Sequence, residues 1–68
     1  MRYTVQRWDS VDAITPQTAT GDLMSAKAKC VDFSRKNPDV LFQVADDEGE
    51  VLYDAKNGKG EDRDPVDG

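Results

Sequence analysis

The sequence predicts a small two-layer α+β domain, with the order βαββ and one helix packed on one face of a three-stranded sheet. Three patterns support this prediction: residues 2–8 alternate as in a strand, residues 20–37 have a helical period, and residues 40–55 contain two apolar runs around a turn. A right-handed crossover through the helix would leave the first strand parallel to the second. The sheet gains a fourth strand if residues 11–15 are extended.

The first strand is predicted at residues 2–8, where β-branched and aromatic residues are frequent. Tyr3 and Val5 would lie on one face of this strand and Trp8 on the other. Residues 9–19 are ambiguous, because they suit either a short strand or a capped helical turn, and Pro16 ends both. We expect a loop or short strand there, with Ile14 against the core.

The helix is predicted at residues 20–37, with Thr20 as its N-cap and Pro38 preventing its continuation. At about 100° per residue, a single apolar stripe forms on one side. That stripe consists of Leu23, Ala26, Cys30 and Phe33, with Met24 and Val31 at its flank. The helix therefore has one face to bury against the sheet.

The strongest β signal is a hairpin at residues 40–55, whose strands are joined by the stretch D-D-E-G-E. Asp46 suits the first position of a type I turn and Gly49 a left-handed position, so Asp46 would pair with Glu50. In that register one face carries Phe42, Val44 and Leu52, and the other carries Leu41, Val51 and Tyr53. A four-residue loop would instead exchange Leu52 with Val51 and Tyr53 between the faces.

The domain is predicted to span residues 1–55, followed by a flexible acidic tail at residues 56–68. Val66 is the only apolar side chain in the tail, which otherwise consists of glycines, a proline, an asparagine and charged residues. Such a segment buries too little apolar surface to offset the entropy lost on ordering. The glycines of N-G-K-G are therefore interpreted as linker residues.

Composition narrows the function classes for this chain of 68 residues. Its net charge is −5, it has no histidine, and its one cysteine excludes an internal disulfide and a Cys/His zinc site. The lone cysteine and the missing apolar leader predict a cytoplasmic protein. No segment reaches transmembrane length, and we expect no membrane association and no cofactor.

No group of residues specifies a catalytic chemistry, and no stretch resembles a known family closely enough to carry over functional residues. Cys30 lies in the apolar stripe, where a cysteine acts as a small hydrophobic residue. The acidic cluster at residues 46–50 lacks the ligand spacing of an EF-hand, so a solvated hairpin tip is the simpler interpretation. We predict that the chain is not an enzyme and holds no metal.

The sequence instead predicts a non-enzymatic protein-interaction module, such as the inhibitors and adaptors that phages and mobile elements encode. Its acidic hairpin, with Asp46, Asp47 and Glu48, would meet a basic partner surface. Because one helix covers only one sheet face, the other would expose apolar residues and serve as an interface, to another protein or in a homodimer. The predicted interface residues are Trp8, Leu41, Val51 and Tyr53, unless residues 9–19 fold back and cover them.

The alternative prediction is a small nucleic-acid-binding domain that uses the cations of the helix. Those cations are Lys27, Lys29, Arg35 and Lys36. The acidic net charge disfavours this alternative, since binding to a phosphate backbone depends on clustered positive charge. A positive last helical turn also complements the helix dipole without any ligand.

Overall fold

The computed structural model describes residues 1–63, which fold in the order ββαβββ. Helix α1 (Leu23–Lys36) follows β1 (Tyr3–Ser10) and β2 (Ala13–Thr20), and precedes β3 (Leu41–Ala45), β4 (Val51–Lys56) and β5 (Lys59–Asp62). The strands form one antiparallel sheet in the order β2-β1-β3-β4-β5. The α+β class is confirmed, whereas the predicted count of three or four strands is too low.

Strand β2 accounts for one missing strand and changes the topology. It pairs antiparallel with β1 through residues of the ambiguous segment, and it returns the chain before the helix begins. As a result β1 runs antiparallel to β3, so the predicted parallel arrangement is wrong. Ile14 lies in this edge strand and is 44% exposed, not held against the core.

Strand β5 lies within the predicted tail. Asn57 and Gly58 have φ angles of 55° and 78°, and Lys56 pairs with Lys59 across them. Two central residues with positive φ make a type I′ turn, for which Asn-Gly is the favoured sequence. The fold therefore continues past residue 55 through Asp62, while residues 64–68 of the predicted tail lie outside the described residues.

The helix begins two residues later than predicted. Its N-cap is Asp22, whose carboxylate accepts hydrogen bonds from the backbone N–H and the hydroxyl of Ser25, at 3.0 and 2.8 Å. Thr20 supports this cap, because its Oγ1 accepts the backbone N–H of Asp22. Among residues 1–63, no helix has the length and apolar character that crossing a membrane requires.

The core lies between α1 and one face of the sheet. Its fully buried residues are Val5, Ala26, Cys30, Phe42, Val44 and Ala55. Phe33 is partly buried and stacks on Phe42, with ring centroids 5.7 Å apart. Of the predicted apolar stripe, Cys30 is fully buried in this core with Val5, Phe42 and Val44, whereas Phe33 is only partly buried.

Buried Ser34 joins the last turn of the helix to the β4–β5 turn. Its hydroxyl donates to the carbonyl of Val31 at 2.8 Å and accepts the backbone N–H of Gly58 at 3.0 Å. One buried hydroxyl thus uses both its donor and an acceptor position, as buried polar groups require. The hydrogen bond from Gly58 to Ser34 thus connects the β4–β5 hairpin to the helix.

The β3–β4 hairpin has the predicted turn but a different distribution of side chains. The backbone N–H of Asp46 donates to the carbonyl of Glu50, and Gly49 has a φ of 81°, as expected. Beyond the turn, Ala45 pairs with Val51 while Val44 pairs with Tyr53, which leaves Leu52 as the extra residue of a β-bulge. Tyr53 therefore shares the helix-covered face with Val44, as the register with a four-residue loop predicts, whereas Val51 lies on the opposite face with Ala45, as the Asp46–Glu50 register predicts. Neither register alone is right, because the bulge at Leu52 shifts the strand between Val51 and Tyr53.

Candidate functional site

The sheet has one face that α1 does not cover, which we call the outer face. Val5 is buried beneath the helix, so its neighbours Thr4 and Gln6 point to the outer face. Residues paired directly across strands share a face, which fixes the side chains on the neighbouring strands as well. The outer face consists of three cross-strand rows of side chains.

The first row carries large apolar side chains, and we call it the large row. Trp8 pairs with Ile14 on β2 and with Leu41 on β3, so the row crosses three adjacent strands. Trp8 and Leu41 are half-buried and Ile14 is more exposed. Val11, at the tip of the β1–β2 hairpin, is 77% exposed. Residues 9–19 thus extend the sheet and add Ile14 to this face instead of folding back over it.

The second row is polar and lies in the middle of the outer face. The amide of Gln6 donates to the side-chain carbonyl of Gln43 at 3.2 Å, and Gln43 pairs with Asp54. Arg63 forms an ion pair with Oδ2 of Asp54 at 3.3 Å. We call Pro16, Gln6, Gln43, Asp54 and Glu61 the polar row.

The third row is made of smaller side chains. Thr4 pairs with Ala19 and with Ala45, and Ala45 pairs with Val51. We call Ala19, Thr4, Ala45 and Val51 the small row. Along the strand direction, the side chains of the outer face therefore change from large and apolar to polar, and then to small.

The acidic hairpin, residues 46–50, borders the small row. Oδ1 of Asp46 accepts the backbone N–H groups of Glu48 and Glu50, each at 2.9 Å, so Asp46 holds the turn together. The Asp47 carboxylate accepts the backbone N–H of Arg2 at 3.1 and 3.2 Å. The carboxylates of Glu48 and Glu50 are exposed and can meet a partner.

A basic turn lies at the opposite end of β4. Lys56 follows the buried Ala55 and pairs with Lys59, so both lysines point to the outer face beside the Asn57–Gly58 turn. Both are exposed. Strand β4 thus connects an acidic end to a basic end.

The helix cations do not form a single patch. Lys27 forms an ion pair with Asp62 at 2.6 Å and lies over the Tyr53 ring, 5.3 Å from its centroid. Lys36 pairs with Asp32 one helical turn earlier, at 3.2 Å. Lys29 and Arg35 are both exposed. The Arg35 side chain lies beside Gly58, because a Cβ added to Gly58 would be 3.6 Å from it.

Tyr53 has a structural environment on the helix-covered face. Its ring occupies the space above Gly60, where any Cβ would collide with it. Burial raises the pKa of the phenol, and Cys30 and Asp62 raise it further while Lys27 lowers it. Tyr53 is thus not brought together with Trp8, Leu41 and Val51 on the outer face.

Residues 1–63 enclose no pocket and contain no cluster of three or more His, Cys, Asp or Glu that could hold a metal ion. Burial, together with the charge of Asp54, raises the pKa of Cys30 to about 12, so its thiol is protonated at neutral pH.

Sequence reasoning did not assign Ile14, Lys56 or Lys59 to the outer face. The Asn-Gly dipeptide at residues 57–58 was the signal that could have placed the two lysines, since it marks a two-residue hairpin turn. Ile14 had no comparable signal, because the strand around it is polar and contains Pro16.

Comparisons of the chain with family models, with curated proteins and with solved structures gave no match. We therefore infer its function from the geometry and charge of the outer face.

Proposed function

We propose that this chain is a non-enzymatic protein-interaction module, an inhibitor or adaptor, that binds its partner through the outer face. The observation that carries the proposal is the large row, in which Ile14, Trp8 and Leu41 stand side by side on a face that no described element covers. Contiguous apolar patches of this kind mark interaction sites on small proteins. Tryptophan is also among the residue types that contribute most to interface affinity.

The two edges of the sheet are poor sites for a partner strand. Edge strand β2 carries Pro16, which has no N–H to donate, and a bulge at Gln17 interrupts its ladder. Edge strand β5 is only four residues long and carries Lys59, Glu61 and Asp62. Since strand addition needs a long, regular edge, docking on the outer face is favoured.

The charge next to this face favours a partner with a basic surface. Glu48 and Glu50 are exposed beside Val51, the residue that begins β4. Charges at the rim of an interface increase the rate of encounter and make it depend on salt. The acidic hairpin would therefore steer a basic partner toward the outer face.

Nucleic-acid binding by the helix cations is the less favoured candidate. Lys27 and Lys36 are already paired with carboxylates, and a phosphate would have to displace those partners. The net charge of −5 opposes the approach of a phosphate backbone as well.

Matched surface variants test the proposal. Wild-type protein, Leu41→Lys and Lys29→Glu are immobilised, and an extract of the source cells is passed over each. Any protein held by the wild type and by Lys29→Glu, but not by Leu41→Lys, is purified and its affinity measured. We expect Leu41→Lys and Trp8→Ala to weaken binding by at least about tenfold, as for residues at an interface centre.

The control variant changes one exposed charge on the helix, away from the outer face, and circular dichroism verifies that each variant is folded. Equal retention of every captured protein by Leu41→Lys would exclude the outer face as the docking site. Binding of duplex DNA near physiological salt that Lys29→Glu abolishes would favour the nucleic-acid candidate instead.

A further inference from the structure

We infer that the outer face fits a second copy of this chain, in a symmetric dimer whose facing strands run in opposite directions. This inference rests on the proposed docking through the outer face, and it gives that face an occupant when no foreign partner is bound. The occupant follows from two patterns that are self-complementary, one in side-chain size and one in charge.

The size pattern comes from the three rows. Successive rows are two residues apart along β1 and β3, or about 7 Å. A two-fold axis lying in the interface along the polar row reverses the strand direction of the second copy. Trp8 of one copy, between Ile14 and Leu41, then lies over Thr4 of the other, between Ala19 and Ala45. Large side chains fill the space left by small ones at both ends, as close packing between two sheets requires.

The polar row lies on the axis and meets itself. Gln6 and Gln43 already share one hydrogen bond, and each amide retains further donor and acceptor capacity. Because an amide is both donor and acceptor, it can pair with its own symmetry copy. At the other end of the row the axis brings Asp54 and Glu61 to their own copies, and the ion pair of Asp54 with Arg63 offsets part of that negative charge. The glutamine amides therefore favour this axis, while the facing carboxylates lower the affinity of the dimer.

The charge pattern selects the same axis. Reversing the strand direction places the acidic hairpin of one copy, with Glu48 and Glu50, at the basic turn of the other, with Lys56 and Lys59. The symmetry repeats this contact at the opposite end of the dimer. An axis parallel to the strands would instead put the large rows over each other and bring the two acidic hairpins to the same end.

The expected dimer is weak. Five strands spaced about 4.8 Å apart make a face about 24 Å wide, which gives an interface near the low end of the sizes known for specific complexes. Sedimentation must therefore extend to concentrations of about 500 micromolar, where dissociation constants in the high micromolar range are measurable. At the highest concentration the average mass should lie clearly above that of the 7.5 kDa chain and still be rising toward twice that value.

A charge exchange tests the arrangement directly. One variant carries Lys56→Glu and Lys59→Glu, and the other carries Glu48→Lys and Glu50→Lys. In a homodimer of either variant both end contacts are repulsive, so self-association should weaken by about tenfold or more. In the equimolar mixture both end contacts are attractive again, and a heterodimer of about wild-type affinity should form. Lys29→Glu is the control and should dimerise as the wild type does.

Two results of these measurements would overturn parts of the inference. A mixture that stays monomeric while the wild type dimerises would overturn the antiparallel arrangement. A wild type that is monomeric at about 500 micromolar would overturn self-association. In that case docking on the outer face would still stand if Leu41→Lys abolished the binding of a foreign partner. Failure of this inference can therefore be distinguished from failure of the proposed function.

Discussion

Cys30 illustrates how position decides the chemistry of a residue. Its thiol is fully buried between the helix and the sheet, and burial is the main cause that raises its pKa from 9.0 to about 12. Since the thiolate is the reactive form, a thiol reagent should label Cys30 only when the chain opens. We expect native labelling at pH 8 to be slow and to accelerate with urea in parallel with unfolding.

The raised pKa also sets a pH dependence of stability. A raised pKa in the folded state means that the neutral thiol favours folding. This contribution is complete below the unfolded pKa of about 9 and disappears as the pH rises toward about 12. Rapid, complete labelling of the native protein at pH 8 would contradict the burial of Cys30.

At the scale of elements, the contact between β4 and β5 depends on Gly60, which has no side chain. The Tyr53 ring lies over Gly60 and beneath the Lys27 ammonium. Gly60→Ala should displace the ring and lower the free energy of unfolding by about 1 to 3 kcal/mol, the usual cost of overpacking. Thermal unfolding followed by circular dichroism measures this change.

Gly21→Ala is the matched control for Gly60→Ala. A Cβ at Gly21 would come no closer than 3.9 Å to its nearest atom, the carbonyl oxygen of Met1, which is an ordinary contact. The control should therefore unfold close to the wild-type temperature. Equal melting temperatures for the two variants would show that Tyr53 does not depend on the space above Gly60.

Elements with local signals could be predicted from the sequence, and those set by distant pairing could not. The helix has periodicity and a clear stop at Pro38, and the β3–β4 turn has Asp46 and Gly49 at the required positions. Strand β2 has no such pattern, because an edge strand needs no alternation of buried and exposed residues. The bulge at Leu52 depends on the partner strand, which explains why neither predicted register has both Val51 and Tyr53 on the faces that they occupy.

At the scale of the whole molecule, the arrangement of faces and edges decides how the chain can associate. Both sheet edges discourage strand addition, and α1 covers one face, so the outer face remains available. Sequence reasoning anticipated an uncovered face carrying Trp8, Leu41 and Val51. It could not anticipate the three rows, because their order follows from the register of β2, β1 and β3.

The bond between Ser34 and Gly58 has a further consequence for the chemical lifetime of the protein. In an asparagine followed by glycine, the backbone nitrogen of the glycine can attack the side-chain carbonyl carbon of the asparagine and expel ammonia. Water then opens the resulting succinimide, and one product is isoaspartate, which has one more carbon in the backbone. In this fold the Gly58 nitrogen is engaged by the Ser34 hydroxyl, and Asn57 is held at a φ of 55°. Ser34→Ala should therefore accelerate the conversion of Asn57 to isoaspartate on storage, as measured by peptide mapping. An unchanged rate would mean that the turn geometry alone slows the loss of the Asn57 side-chain amide. The Ser34 hydroxyl would then contribute to the position of the hairpin but not to its chemical stability.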